Sequence, residues 1–166
     1  MPERDPAPLP PLSTWPVQLF LPEHGYYWYA RPAAVVSQSS VSHASIRMVD
    51  EHNDVLDRVL SARRDEIRAA GGLLIFDDWR SLRSFAPGAR TRMQERMNAR
   101  QRGYARRTVI VVNPSNRLLR MAIEAASLFK TLMSQARVEV ALSADLALSQ
   151  AGISAPVSGE KFPGDR

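Results

Sequence analysis

Three groups of residues in this 166-residue chain have types and spacings that could do chemistry. The first is Asp77-Asp78, adjacent carboxylates at the end of the apolar run Leu73-Leu74-Ile75-Phe76. Paired acids at a strand end suggest a Mg²⁺ pocket. Pleating argues against it, because successive strand residues point to opposite faces. No acid closes the other apolar strands either: Asn113 follows one, and Ala141-Leu142-Ser143 another. No metal is expected, and the acids read as caps of backbone N–H groups or as partners of Arg80 or Arg83. The second group is Ser81 and Ser84, candidate phosphorylation sites. A phosphoserine at either would face the free N–H groups and dipole of the next helix, with Arg80 and Arg83 beside it. Unmodified, Ser84 reads as an N-cap and Ser81 as a turn residue. The third group is Arg92, Arg96 and Arg100, spaced i, i+4, i+8. Like charges at this spacing cost roughly 0.2–0.5 kcal/mol per pair, so the row needs anions beside it. Asp50, Glu51, Asp54 and Asp57, an acidic protein or nucleic acid could supply them.

Charge is concentrated around that row. Nine arginines and one acid, Glu95, fall between Arg80 and Arg107, so this segment carries +8 of a chain whose total is +5. Such a patch attracts phosphates or acidic proteins. Nucleic acid ranks last as a partner. The stackable aromatics, Tyr26 to Tyr29, belong to another element, and no helix-turn-helix, RRM or zinc signature is present. His24, His43 and His52 are too scattered for a ligand set, and His52 reads as solvated or paired with nearby acids. The sequence has no P-loop, G-x-G-x-x-G or G-x-S-x-G, so no catalytic or cofactor-binding residue is assigned. With no cysteine, disulfides and thiolate sites are excluded and the default location is cytoplasmic. No apolar run is long enough to span a bilayer, and the N-terminus is not a secretory signal.

The elements that must position these groups alternate. Residues 1–14, with five prolines, read as a disordered or polyproline-like tail. Val17–Leu21, Tyr26–Ala30 and Ala33–Ser37 are short strands, with Pro32 at a corner. Ser40–Ala70 has helical periodicity, with Ser42 or Ser45 as N-cap and Gly71-Gly72 as its end. The strand Leu73–Phe76 is apolar throughout, as suits burial on both faces. A basic helix runs from Pro87 to about Gly103, then the β-branched strand Thr108–Val112. The helix Arg117–Gln135 has an apolar sweep of about 220° at about 100° per residue, wider than one sheet face needs. Its excess, Met121, Leu128 and Leu132 on one flank and Leu119 and Ile123 on the other, calls for neighbouring helices, a partner or a second copy. Arg137–Leu142 is a last strand, Ala144–Gln150 a last helix, and 154–166 a flexible tail. This order predicts an α/β domain over residues 15–153. Its sheet should be mostly parallel, with four or five strands, an antiparallel N-terminal edge and about four helices.

From Tyr26 to Ala151, this order resembles the STAS domains of the anti-sigma factor antagonists. The hairpin-like start, the long first helix, Leu73–Phe76 running into Asp77, Thr108–Val112, and Val138–Leu142 before a short helix carry the resemblance. It implies a STAS-like fold and a protein-binding, regulatory role. In the antagonists a serine in the loop after the third strand is phosphorylated. The corresponding loop here, Asp78 to Gly88, offers Ser81 and Ser84 but lacks the acidic-serine-glycine signature.

The expected function is therefore non-enzymatic protein binding. The surface would include the 77–87 loop (Arg80, Arg83), the basic helix (Arg92, Arg96, Arg100), and Met121, Leu128 and Leu132, with a homodimer through the 117–135 helix as one form. The alternative is a small-molecule or anionic-ligand site at the strand ends, using Asp77, Trp79 and Asn113.

Overall fold

Alternation of apolar strands with amphipathic helices forces parallel pairing through crossovers, and the chain folds accordingly. The computed structural model describes residues 9–100, 102–117, 119–124 and 137–165. Six strands form one sheet in the order β1 (Leu19–Leu21), β2 (Gly25–Ala30), β3 (Ala34–Ser39), β5 (Leu73–Asp78), β7 (Ala105–Val111), β8 (Arg137–Ala141). β1, β2 and β3 pair antiparallel; β3, β5, β7 and β8 pair parallel. The class is the expected one, a mostly parallel α/β sheet with an antiparallel N-terminal edge. The sheet has six strands where four or five were expected, because the short segment read over Val17–Leu21 joins it as β1 and completes the edge.

The long helix expected over residues 40–70 is instead three pieces. β4 (His43–Ala44) comes first, then α1 (Ile46–Ala62), whose N-cap Ser45 accepts a hydrogen bond from the Met48 N–H. α2 (Arg64–Ala69) follows a break at Arg63. β4 pairs in parallel with β6 (Ser84–Phe85), and this two-residue ladder had no periodic signal to betray it. The basic helix is α3 (Ala89–Asn98). Residues 119–124 are helical (α4) and α5 spans Ala144–Ser149. No helix among the described residues is long and apolar enough to cross a membrane.

Sequential parallel strands joined by right-handed crossovers send every crossover helix to one face. On that face Tyr27, Val35, Leu73 and Ile75 pack against Val55, Leu56 and Val59 of α1 and Ile67 of α2. The opposite face, carrying Trp28, Val36, Leu74, Phe76 and Val109, needs another cover. Leu12 and Trp15 supply it from the N-terminal side, and α5 with Ile153 from the C-terminal side. So two segments read as tails contribute to the core. Leu12 and Trp15 are buried, the latter edge-on to Trp28. Ser154 bridges to Arg31, and Phe162 reaches round to the helical face, where it is 1% exposed.

Candidate functional site

The two adjacent acids separate because β5 extends through both of them. Asp77 points under α1 and Asp78 to the opposite face. Asp78 is buried but fully engaged: Arg80 donates to it from Nε and Nη2, both at 2.8 Å, and Gln38 from Nε2 at 3.2 Å. Arg80 is thereby tied within the domain. Among the described residues no group of His, Asp and Glu is arranged to hold a metal ion.

Asp77 sits in a dry polar cluster that the sequence analysis missed. Ser37 Oγ donates to Asp77 Oδ1 at 2.7 Å, and His52 Nε2 lies 3.6 Å from Oδ2. Tyr27 Oη is 2.9 Å from His52 Nδ1. Burial pushes the Tyr27 phenol well above its ordinary pKa, so it stays protonated and donates to that nitrogen. His24 completes the cluster, stacked on His52 with ring centroids 5.4 Å apart and planes 9° from parallel. Both imidazoles are buried, so of the two readings of His52, solvated or paired, the structure gives the paired one, with Asp77 as the acid. The available signal was its place on the apolar stripe of α1: Val49, His52, Leu56 and Val59 share one helical face.

α3 lies along α1, and its arginine row meets the acids of that helix. Arg92 Nε donates to Asp50 at 2.7 Å, and Arg96 reaches Asp50, Asp54 and Asp57 at 3.2, 2.6 and 3.1 Å. Arg100 donates to Asp57 at 2.7 Å and to the side chain and carbonyl of Asn53. The hydrogen bond from Arg92 holds the Asp50 carboxyl below its usual pKa range. Of the three anion sources weighed for the row, α1 is the one in contact. Arg106 and Arg107 are likewise engaged, by the Gly72 carbonyl and by Glu139. Among the described residues only Arg83, Arg90 and Arg102 of the basic segment lack an ion pair or side-chain hydrogen bond.

Two of those three share a cleft. It has a volume of about 580 Å³, opens beside the C-terminal ends of the parallel strands, and runs between the 83–91 segment and α4. Arg83, Arg90, exposed Ser84 and Phe85 line it from the 83–91 segment, and Asn116, Leu119 and Ala122 from the α4 side. The loop beneath is pinned. The Arg83 N–H donates to the Ser42 carbonyl and the Ala86 N–H to that of Ala44, each at 2.8 Å. Ser81 Oγ lies 2.8 Å from the carbonyl oxygens of both Ser39 and Val41, so its hydroxyl is spent on the scaffold. Ser84 Oγ is exposed and 2.8 Å from His43 Nδ1. It lies in β6 rather than at a helix start; the N-cap of α3 is Gly88, which lends no side-chain cap.

The strand-end trio Asp77, Trp79 and Asn113 does not converge on this cleft. Asp77 lies under α1, Trp79 packs edge-on against Phe85 in a core cluster, and Asn113 accepts from the Ser115 N–H and hydroxyl in a local turn. Met121 is 61% exposed on α4; Leu128 and Leu132 lie outside the described residues. No protein-family model, curated protein or solved structure matches this chain.

Proposed function

We propose that this chain is a non-enzymatic regulatory domain that binds an acidic segment of a protein partner in the cleft between the 83–91 segment and α4. The observation that carries the reading is the unspent charge. The basic segment neutralises most of its arginines internally, yet leaves Arg83 and Arg90 unpaired in a cleft also lined by the apolar side chains of Phe85, Leu119 and Ala122. Guanidinium forks suit carboxylate side chains, and the apolar lining suits an apolar anchor beside them. A loop held by backbone hydrogen bonds is also pre-organised, which lowers the ordering cost of binding. The resemblance to STAS domains supports the regulatory half of the reading. A phosphate on Ser84 would add negative charge beside both arginines and oppose an acidic ligand. Met121, next to the cleft residues on α4, is the point at which a second copy would dock, and light scattering of Met121→Asp against wild type checks that form.

The test is titration of a labelled Asp/Glu-rich peptide with one central Leu into the full chain. Binding should saturate and weaken with salt, since the contacts are exposed ion pairs. Arg83→Glu/Arg90→Glu should weaken it by about tenfold or more, equivalent to ~1.4 kcal/mol. Arg64→Glu/Arg102→Glu makes the same change of net charge at exposed, unpaired positions away from the cleft and should alter it by less than about twofold. Equal losses in the two double variants would reduce the effect to net charge and overturn the reading.

A further inference from the structure

We propose that the stacked His24–His52 pair is an acid-sensitive joint: protonation releases α1 from the sheet, and α3 moves with it. The joint is built from a turn, a strand end and a helix. Gly25, at φ +140°, lets the β1–β2 turn press against β3, where a Cβ would collide with the Gln38 carbonyl. His24 is thereby forced inward and is fully buried, its backbone carbonyl accepting from the Ser40 N–H at 2.8 Å. Neither of its ring nitrogens has a hydrogen-bond partner among the described residues.

The groups facing this imidazole come from three elements: Tyr27 on β2, His52 on α1 and Asp77 on β5. Glu23 in the turn and Glu51 on α1 are engaged by Arg47, at 3.6 and 3.3 Å. Glu51 is bound by Arg47 at Oε1 only; its Oε2 is buried and it acts on Tyr27, whereas the carboxylate that acts on His24 is Asp77, which lies against His52. An imidazolium on His24 would carry two unsatisfied N–H donors in a buried site, stacked 5.4 Å from a ring that Asp77 and Tyr27 already hold. Burial, and then the neighbouring His52, accordingly lower the His24 pKa to about 3, with Asp77 acting weakly in the opposite sense.

The sign follows from that depression. An opened joint exposes His24 to water, where it protonates near 6.5; the closed joint resists to about 3. Opening is unaffected above about pH 6.5 and becomes about tenfold more favourable for each unit the pH falls below it. The α1–α3 clasp survives this window, because Asp50 is held charged by Arg92. The two helices leave the sheet as a unit. Since α3 begins in the cleft wall at Gly88–Thr91, acid would also loosen the binding cleft, and this last consequence alone rests on the cleft reading.

The experiment is amide hydrogen exchange on the full chain from about pH 7 to about pH 5, corrected for intrinsic exchange, with no peptide present. Residues 46–62 and 89–98 should open about tenfold more per pH unit below about 6.5, while 73–78 and 105–111 keep their protection. His24→Phe should abolish the slope. Persistence of the slope in His24→Phe, or strands opening in step with the helices, would overturn the proposal. Should His24→Phe fail to fold, ring-nitrogen spectra of the wild type decide: a His24 that protonates in this window while α1 stays protected contradicts the joint, and one that stays neutral until α1 opens supports it. Because no peptide enters, failure here is distinct from failure of the cleft.

Discussion

Phe162→Ala should lower the unfolding free energy by about 3–5 kcal/mol, the range for deleting a buried aromatic from a packed core. Its ring is 1% exposed among Tyr27, Tyr29, Val55 and Val59, so no solvent is available to fill the space it leaves. The ring also lies under the Arg58 guanidinium, 5.2 Å from its centroid, and Arg58 is held in turn by Asp165 at 3.1 Å. Val157→Ala, in the same C-terminal segment but at a 63% exposed position, should stay within about 0.5 kcal/mol. Urea unfolding with a common m-value separates the two. Equal midpoints would mean that the segment is not part of the folded core.

Arg100→Ala is the second large loss, about 2–3 kcal/mol, and it arises from what stays behind. The Arg100 side chain is 6% exposed, and its fork satisfies Asp57, the Asn53 side-chain oxygen and the Asn53 carbonyl at once. Asn53 is fully buried, so both of its oxygens lose a partner when the fork is removed. Arg100→Lys should recover less than half of the loss, because one ammonium cannot span these acceptors in the geometry of a guanidinium. Arg92→Ala should shift the thermal midpoint far less, since its side chain is 41% exposed and water replaces it at Asp50. Similar shifts for Arg92→Ala and Arg100→Ala would contradict the distinction between the wet and dry ends of the row.

The alternating order was legible because it depends on local pattern. Val109 to Val112 is β-branched at every position, and Leu73 to Phe76 is apolar at every position. The spacing of Arg92, Arg96 and Arg100 was visible too, as was that of the acids on α1. Their meeting was not, because it depends on α1 and α3 lying side by side. The N-terminal and C-terminal segments misled for a related reason. Prolines spaced around Leu9 and Leu12 have no period, and their burial follows only from the topology, which leaves one sheet face without a crossover helix. His24 and His52 are 28 positions apart in sequence, and separation alone made them look unrelated. The fold stacks them because a tight turn and the core stripe of a helix meet over the same strand. The cleft was half visible: Arg83 and Ser84 were candidates from the start, while Arg90, Leu119 and Ala122 join them only through packing.

The cleft is the central claim, and mapping of backbone amide shifts tests it most directly. On titrating the same acidic peptide into isotope-labelled protein, shifts should concentrate at residues 83–91, Asn116, Leu119 and Ala122. The α1 acids and the engaged Arg92, Arg96 and Arg100 should stay quiet. Saturable shifts centred on another face, or shifts scattered over all exposed arginines, would contradict the account.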